Sequence, residues 1–275
     1  MRAFARILTI CVAFVCAPLA TIVAQIKTDG DSVHASKTLF TWRDALLAGG
    51  FVGLTVGMFP LDKSTAREFR DSTSQASRLF SSGSKAVQYV ADPGSIVIGV
   101  GMYGVGRIAH WPTLEDVGLH GTEAIIVGGT TTALLKGLVG RARPHVVGDT
   151  IVDSFVFGRG FRRGNAYMSF PSGHATVAFA AAAAVTSETQ RVWPHHAWLV
   201  APVMYGGATL VGLSRIYNNA HWASDVALGA AIGTFSGIKV VRYSHGHTDN
   251  VVDRWLLGIR PMAAPNGEPA IGWCF

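Results

Sequence analysis

One stretch decides how this chain folds and what it does: SRIYNNAHWASD, residues 214–225. His221 and Asp225 are four residues apart, so on a helix their side chains lie on one face. Asp225 can then accept the proton of one ring nitrogen and fix the tautomer, which leaves the other nitrogen free as a nucleophile. Arg215 comes from the end of a preceding predicted helix. Because a carboxylate and an arginine accompany it, His221 is harder to explain as a core residue than a lone histidine would be.

Upstream, the stretch PSGH, residues 171–174, opens a predicted helix. Ser172 can cap this helix, and Gly173 lets a ligand approach the backbone closely. Free N–H groups at a helix N-terminus bind anions. His174 would then stand beside the anion and act as an acid or a base. A capped helix with an incidental histidine is the alternative for this stretch alone.

A third stretch, KGLVGRARP, covers residues 136–144. Lys136 and Arg143 are seven residues apart, which predicts that both project from one helix face, and Pro144 is predicted to end that helix. Two cations at the end of an apolar helix are costly unless they meet an anion such as phosphate. Extension of both side chains to a membrane surface explains this stretch equally well on its own.

The three stretches, K-x6-R-P, P-S-G-H and S-R-x5-H-x3-D, occur in this order without departure. In this the chain resembles the type 2 phosphatidic acid phosphatases, which form a superfamily with bacterial class A acid phosphatases and vanadium haloperoxidases. The resemblance implies an all-α bundle with the motifs converging at one end. It also implies that His221 is the nucleophile, Asp225 its orienting partner and His174 the general acid. The residues that it implies for phosphate binding are Lys136, Arg143, Ser172, Gly173 and Arg215.

The same resemblance implies phosphomonoester hydrolysis through a phosphohistidine, without a metal or cofactor. Vanadate is expected to bind as a phosphate mimic. No cysteine or carboxylate spacing in the sequence is typical of a metal site. His245 and His247 are interpreted as a short H-G-H at a helix exit.

Composition limits the class of protein. Hydrophobic residues make up 49% of the 275 residues and charged residues 15%, against a usual charged share of about 25%. These values exclude a disordered tail, a fibrous protein and a charge-rich coiled coil. The net charge of +6 favours a phosphate or an anionic membrane surface as partner, and we expect no nucleic-acid partner.

Apolar segments recur along the chain and predict a six-helix bundle. In the first, Gly49, Gly53 and Gly57 share one helix face where a neighbouring helix could approach closely, and Pro60 is predicted to end the helix. A polar connector containing a helix is predicted for residues 61–92. The predicted apolar segments are residues 44–59, 93–110, 121–140, 173–187, 197–213 and 226–241.

The ends of the chain differ from the bundle. Residues 1–24 are predicted to be an export signal, and residues 25–43 form a polar segment. The phosphatase domain is predicted over residues 44–242. In the tail, residues 243–275, Asn266-Gly267 predicts a short hairpin, with an extended tail as the alternative.

The scarcity of charge favours a membrane-embedded bundle in an exported protein of the bacterial envelope. We therefore expect a phosphatase acting on lipid phosphates. A soluble exported acid phosphatase of the periplasm, acting on small phosphomonoesters, is the first alternative. A vanadate-dependent haloperoxidase, for which the chain is short, and a non-enzymatic helical membrane protein are the others. Arg159, Arg162 and Arg163 are interpreted as part of a solvated loop, with a grip on a lipid headgroup as the alternative.

Overall fold

The structure is a computed structural model, which describes residues 39–70, 78–148, 151–247, 250–263 and 269–273. The predicted signal peptide, most of the polar segment 25–43 and the Asn266-Gly267 turn lie outside these residues. The helices are α1 (Trp42–Arg70), α2 (Arg78–Tyr89), α3 (Ser95–Ile108), α4 (Pro112–Val139), α5 (Pro144–Val147), α6 (Arg159–Arg163), α7 (Gly173–Val192), α8 (Pro194–Tyr217), α9 (Ala223–Gly246) and α10 (Val251–Gly258).

The prediction of an all-α bundle is confirmed, and each of the six predicted apolar segments lies mainly within a helix. Helix α7 is the centre of the bundle and packs against α4, α8 and α9. Its alanines are buried almost without exception because small side chains let three neighbours crowd around one helix. Helix α1 packs on α9, α3 on α4, and α2 on α8.

Close approach of two helices occurs between α7 and α9, on glycines that recur every four residues. A Cβ at Gly229 would lie 2.5 Å from the carbonyl oxygen of Ser172, and one at Gly233 would lie 2.3 Å from that of Thr176. Gly237 meets α7 in the same way, with the carbonyl oxygen of Ala180 at 2.7 Å from a Cβ. Only glycine permits this contact, so the α9 glycines set the distance between the two helices.

In the first helix, no neighbouring helix packs against the glycine face within the described structure, so the predicted close approach was wrong. Nothing lies within 4 Å of a Cβ built at Gly49, Gly53 or Gly57. These residues are exposed, because α1 packs on α9 through its other face.

Pro60 does not end the first helix, and this prediction was wrong. Helix α1 continues through Pro60 to Arg70. A proline inside a helix removes one backbone hydrogen bond. The next turn is held by Asp62, which is fully buried and contacts Arg141 and Ser224.

The tail forms the predicted hairpin. Strands β1 (Ile259–Ala263) and β2 (Pro269–Trp273) pair antiparallel, with Ile259 opposite Trp273 and Ala263 opposite Pro269.

Among the described residues, three helices have the length and apolar composition needed to cross a bilayer. They are Trp42–Phe69 within α1, Pro194–Tyr217 and Ala223–Gly246. Two of them, α1 and α8, expose large apolar side chains on their outer faces, among them Leu46, Val52, Val56, Trp198, Val203 and Leu210.

Candidate active site

The three motifs meet at one end of the bundle. Lys136 lies in the last turn of α4, Gly173 begins α7, and Arg215 lies in the last turn of α8. His221 lies between α8 and α9, and Asp225 lies in the first turn of α9. Four helix ends therefore bring together residues that are far apart in the chain.

His221 is buried and its ring is held through Nδ1. The closest acceptor is the carbonyl oxygen of Ser169, at 2.7 Å, whereas Oδ2 of Asp225 lies 3.5 Å away. The prediction that Asp225 fixes the tautomer is therefore refined, since the backbone carbonyl is the nearer partner. With its proton on Nδ1, the ring leaves Nε2 unprotonated, which is the form that a nucleophilic imidazole needs.

Asp225 is fully buried and accepts several hydrogen bonds. Arg141 donates to Oδ1 at 2.6 Å, and the backbone N–H of Trp222 donates to Oδ2 at 2.9 Å. The hydroxyl of Ser169 also donates to Oδ2. Asp225 therefore ties together the first turn of α9 and the Ser169 backbone that holds His221.

Arg141 is the residue at this site that sequence reasoning missed. Its side chain is completely buried and bridges Asp225 to Asp62, at 2.6 and 2.7 Å. It also donates to Ser224 and to the carbonyl of Val152. Four aromatic rings surround the guanidinium, with centroids 4.9–5.9 Å away: Phe59, Phe155, Phe170 and Trp222. The only sequence signal was its place inside the first motif.

The first motif is not one continuous helix, and the predicted common face of Lys136 and Arg143 was wrong. Helix α4 ends at Val139, and Gly140 takes a left-handed conformation with φ of 59°. Arg143 therefore lies in an extended segment, and Pro144 begins α5 rather than ending a helix. The same two residues still reach one site, because the turn at Gly140 brings the chain back.

Three cations border the start of α7. Nζ of Lys136 would lie 3.5 Å from a Cβ at Gly173, so the ammonium stands over that helix start. Arg143 is buried and is oriented by Asn165, whose carbonyl and side-chain oxygens accept at 2.8 and 2.6 Å. Arg215 donates to the side chain of Gln88, and its Nε is buried without a partner within the described chain.

Ser172 occupies the N-cap position of α7 but does not make the predicted cap. Its hydroxyl is buried and has no hydrogen-bond partner among the described residues. Its backbone N–H donates to the carbonyl of Asp225 at 2.9 Å. The unpaired hydroxyl and the open helix start are both suited to an anion.

The two histidines are both neutral in this environment. Burial lowers the pKa of His221 to about 3, and the charges of Lys136 and Arg143 act in the same direction. Burial, followed by the charges of Arg215 and the other two cations, lowers the pKa of His174 to about 4. Both rings therefore lie within the field of one cation cluster, which favours an anionic ligand between them.

A family model matches the part of the chain that carries the motifs. Residues 119–249, which contain all three motifs, match the model of the PAP2 superfamily. Over these residues, which make up just under half of the chain, the protein is similar to the PAP2 superfamily. The resemblance noted from the motifs is thereby confirmed.

Two curated proteins with similar sequences carry the same description. The chain is 45% identical over 83 residues to a lipid A 1-phosphatase of Porphyromonas gingivalis, covering 30% of this chain and 18% of that protein. It is 33% identical over 156 residues to a lipid A 1-phosphatase of Rhizobium etli, covering 56% of this chain and 57% of that protein. The match therefore spans less than two thirds of either relative.

Among solved structures, the chain is similar to a transmembrane PAP2-type phosphatidylglycerolphosphate phosphatase from Bacillus subtilis. The two are 20% identical, with a TM-score of 0.32, and the match covers 72% of this chain and 96% of that one.

Proposed function

We propose that this protein is a phosphatase that hydrolyses lipid phosphomonoesters at a bacterial membrane, with His221 as the nucleophile. The observation that carries the proposal is the fixed imidazole of His221 beside three cations and an uncapped helix start. This combination supplies both a nucleophile and a cradle for a phosphoryl group.

Substrate binding is the first step. The phosphate oxygens would lie among Lys136, Arg143, Arg215 and the N–H groups at Gly173, with the free hydroxyl of Ser172 as a further donor. The charges are in place before the substrate arrives, since Asn165 and Gln88 already orient two of the guanidinium groups. Such groups stabilise the equatorial oxygens of the transition state most strongly.

Attack and hydrolysis follow. The bound phosphate offsets the neighbouring cations, so His174 takes up a proton when the substrate binds. Nε2 of His221 then forms a bond to phosphorus while the bond to the leaving alkoxide breaks, and His174 donates its proton to that oxygen. His174 then accepts a proton from water, which attacks the phosphohistidine and releases inorganic phosphate. The carbonyl of Ser169 holds the Nδ1 proton of His221 throughout.

A lipid substrate is favoured by the surface beside the site. The ring of Phe161 lies against Gly137, one residue from Lys136, and the same loop exposes Phe157 at 78%. Arg162 and Arg163 are exposed next to these rings. Exposed aromatic and basic side chains together are typical of a surface that meets anionic lipid. We therefore revise the interpretation of this loop as simply solvated.

The lipid that we propose is a lipid A-type glycolipid carrying a 1-phosphate, since the curated relatives are described as lipid A 1-phosphatases. The three helices long enough to cross a bilayer support a membrane location for the enzyme.

Phosphate release from a substrate panel tests the proposal. The panel contains lipid A 1-phosphate, phosphatidylglycerophosphate, phosphatidate, an isoprenyl diphosphate and p-nitrophenyl phosphate. We expect lipid A 1-phosphate to have the highest kcat/KM and vanadate to inhibit competitively. His221→Ala should lose about 10⁴-fold or more of the activity, and His195→Ala, on an exposed histidine, should lose none.

Two results would contradict the proposal. Steady turnover by a folded His221→Ala protein would exclude the nucleophile. Efficient hydrolysis of the soluble ester with no lipid activity would instead favour the exported acid phosphatase.

A further inference from the structure

A second cluster of ionisable side chains lies at the opposite end of the bundle from the phosphate site. It is formed by His120 and Glu123 on α4, Glu188 near the end of α7, His245 near the end of α9, and Asp253 on α10. Glu188 is 14 residues along α7 from His174, a distance of about 21 Å along the helix axis. The cluster therefore does not touch the reacting phosphate.

Three atoms of this cluster are buried and have no hydrogen-bond partner within the described residues: Nε2 of His120, Oε1 of Glu123 and Oδ1 of Asp253. His120 is only 1% exposed. A ligand-capable atom of each of the three residues lies within 4.8 Å of the other two. Buried polar atoms without partners are rare because each costs free energy, so three together point to a ligand that pairs with all of them.

The spacing between the His120 ring and the carboxylate of Asp253 suits a shared metal ion better than a hydrogen bond. Nε2 of His120 lies 3.6 Å from Oδ2 of Asp253, which is too long for a hydrogen bond. Ligand atoms bound tetrahedrally at about 2.1 Å from zinc are about 3.4 Å apart. His120 and Glu123 are three residues apart on one helix face, so both can reach a common ion.

The other side of the His120 ring is held as metal-bound histidines usually are. Nδ1 lies 2.5 Å from Oε1 of Glu188, and Arg191 donates to the second oxygen of that carboxylate at 3.0 Å. A carboxylate that accepts the Nδ1 proton leaves Nε2 unprotonated and aimed at the metal.

His245 belongs to this outer layer rather than to the ligand set. Its Nε2 lies 2.8 Å from Oε1 of Glu188, so His120, Glu188 and His245 are spaced for shared protons. This contact also corrects the interpretation of His245 as an incidental residue at a helix exit.

We propose that Nε2 of His120 and the carboxylates of Glu123 and Asp253 form a binding site for a divalent transition metal of the Zn²⁺ class. One imidazole and two carboxylates are a donor set that zinc accepts, with water completing the coordination. The ion neutralises two carboxylates that face each other and joins α10 to α4. Since α10 leads directly into the hairpin, metal binding stabilises the C-terminal part of the chain.

Titration of the chelator-treated full chain in detergent with ZnCl₂, followed by calorimetry, tests this site. We expect one Zn²⁺ per chain and a thermal midpoint that rises when zinc is added. E123Q and D253N should each weaken zinc binding at least tenfold and abolish the rise. E188Q should weaken binding about 10- to 100-fold by releasing the ring of His120. The matched control is H195Q/H196Q, which removes an exposed histidine pair and should change nothing.

Stability without metal separates loss of a ligand from loss of the fold. E123Q removes the charge of one of two facing carboxylates, so its metal-free midpoint should equal or exceed that of the original protein. The proposal would be overturned by an absence of zinc binding, by E123Q and D253N binding zinc as tightly as the original protein, or by loss of binding in H195Q/H196Q. None of these outcomes depends on phosphatase activity.

Discussion

Asp225 lies at the centre of a buried hydrogen-bond network. Both of its oxygens accept hydrogen bonds from buried donors. One of these donors, Arg141, also donates to Asp62 of α1. A buried arginine between two carboxylates is stable only because all three groups are paired. The frame that orients His221 therefore extends through Arg141 to a helix that carries none of the motifs.

Replacement of this arginine should unfold the site's frame. Arg141→Lys keeps the charge but cannot reach Asp62, Asp225, Ser224 and Val152 together, so we expect a loss of about 3–5 kcal/mol in the free energy of unfolding. Thermal and denaturant unfolding measure this loss. Arg162→Lys, on an exposed guanidinium, is the control and should change stability by less than about 0.5 kcal/mol. Equal stability of the two variants would contradict the assigned role of Arg141.

The titration of His174 should report the anion directly. In the free protein, burial and the neighbouring cations lower its pKa to about 4. An anion that neutralises those cations raises the pKa of His174, so binding of the anion takes up a proton. The affinity for the anion therefore falls as pH rises from the pKa of the free protein to that of the anion-bound protein. Sulfate is a suitable probe because its charge is constant in that range. NMR titration of the His174 ring with and without sulfate measures both pKa values, and an unchanged pKa would show that the anion binds elsewhere.

At the scale of elements, the distance between α7 and α9 is set by glycines. These helices carry His174 and the residues around His221 at their N-terminal ends, so their separation also fixes the width of the proposed phosphate site. The glycines of α1, by contrast, face outward.

The pair Gly233→Ala and Gly53→Ala tests this difference. At Gly233 the added methyl would lie 2.3 Å from a carbonyl oxygen of α7, and we expect a loss of about 1–3 kcal/mol together with reduced kcat. At Gly53 nothing lies within 4 Å, so the higher helix propensity of alanine should leave stability equal or greater. Thermal unfolding of both variants makes the comparison. A tolerant Gly233 would show that α7 and α9 are not in close contact.

Sequence patterns were sufficient for the helices and for most of the site, because apolar periodicity and the three motifs are local features. They were insufficient where the structure depends on contacts between residues far apart in the chain. The helix continues past Pro60 to Asp62, which pairs with Arg141, 79 residues away, and no local signal shows that pairing. For the same reason the sequence did not reveal that α10 brings Asp253 to His120.

For the whole molecule, the loop beside the site is expected to meet the membrane surface. Phe157→Ser removes an exposed aromatic ring that has no role in the proposed hydrolysis, so the rate of the chemical step should be unaffected. We expect the KM for a lipid phosphate in vesicles to rise about tenfold, since about 1.5 kcal/mol of apolar contact with lipid is lost. Hydrolysis of p-nitrophenyl phosphate should be unchanged and is the internal control. Equal losses on both substrates would place Phe157 in the catalytic structure instead.

Trapping the phosphoenzyme is the most direct test of the proposed mechanism. The full chain is mixed with a ³²P-labelled lipid phosphomonoester, quenched within milliseconds, digested and analysed by mass spectrometry. His174→Ala should accumulate the intermediate when labelled p-nitrophenyl phosphate replaces the lipid, because that leaving group needs no protonation and only hydrolysis then depends on His174. We expect an acid-labile, alkali-stable phosphate on the peptide that contains His221, and none in His221→Ala. Phosphate on another residue, or full turnover without any labelled peptide, would contradict the mechanism.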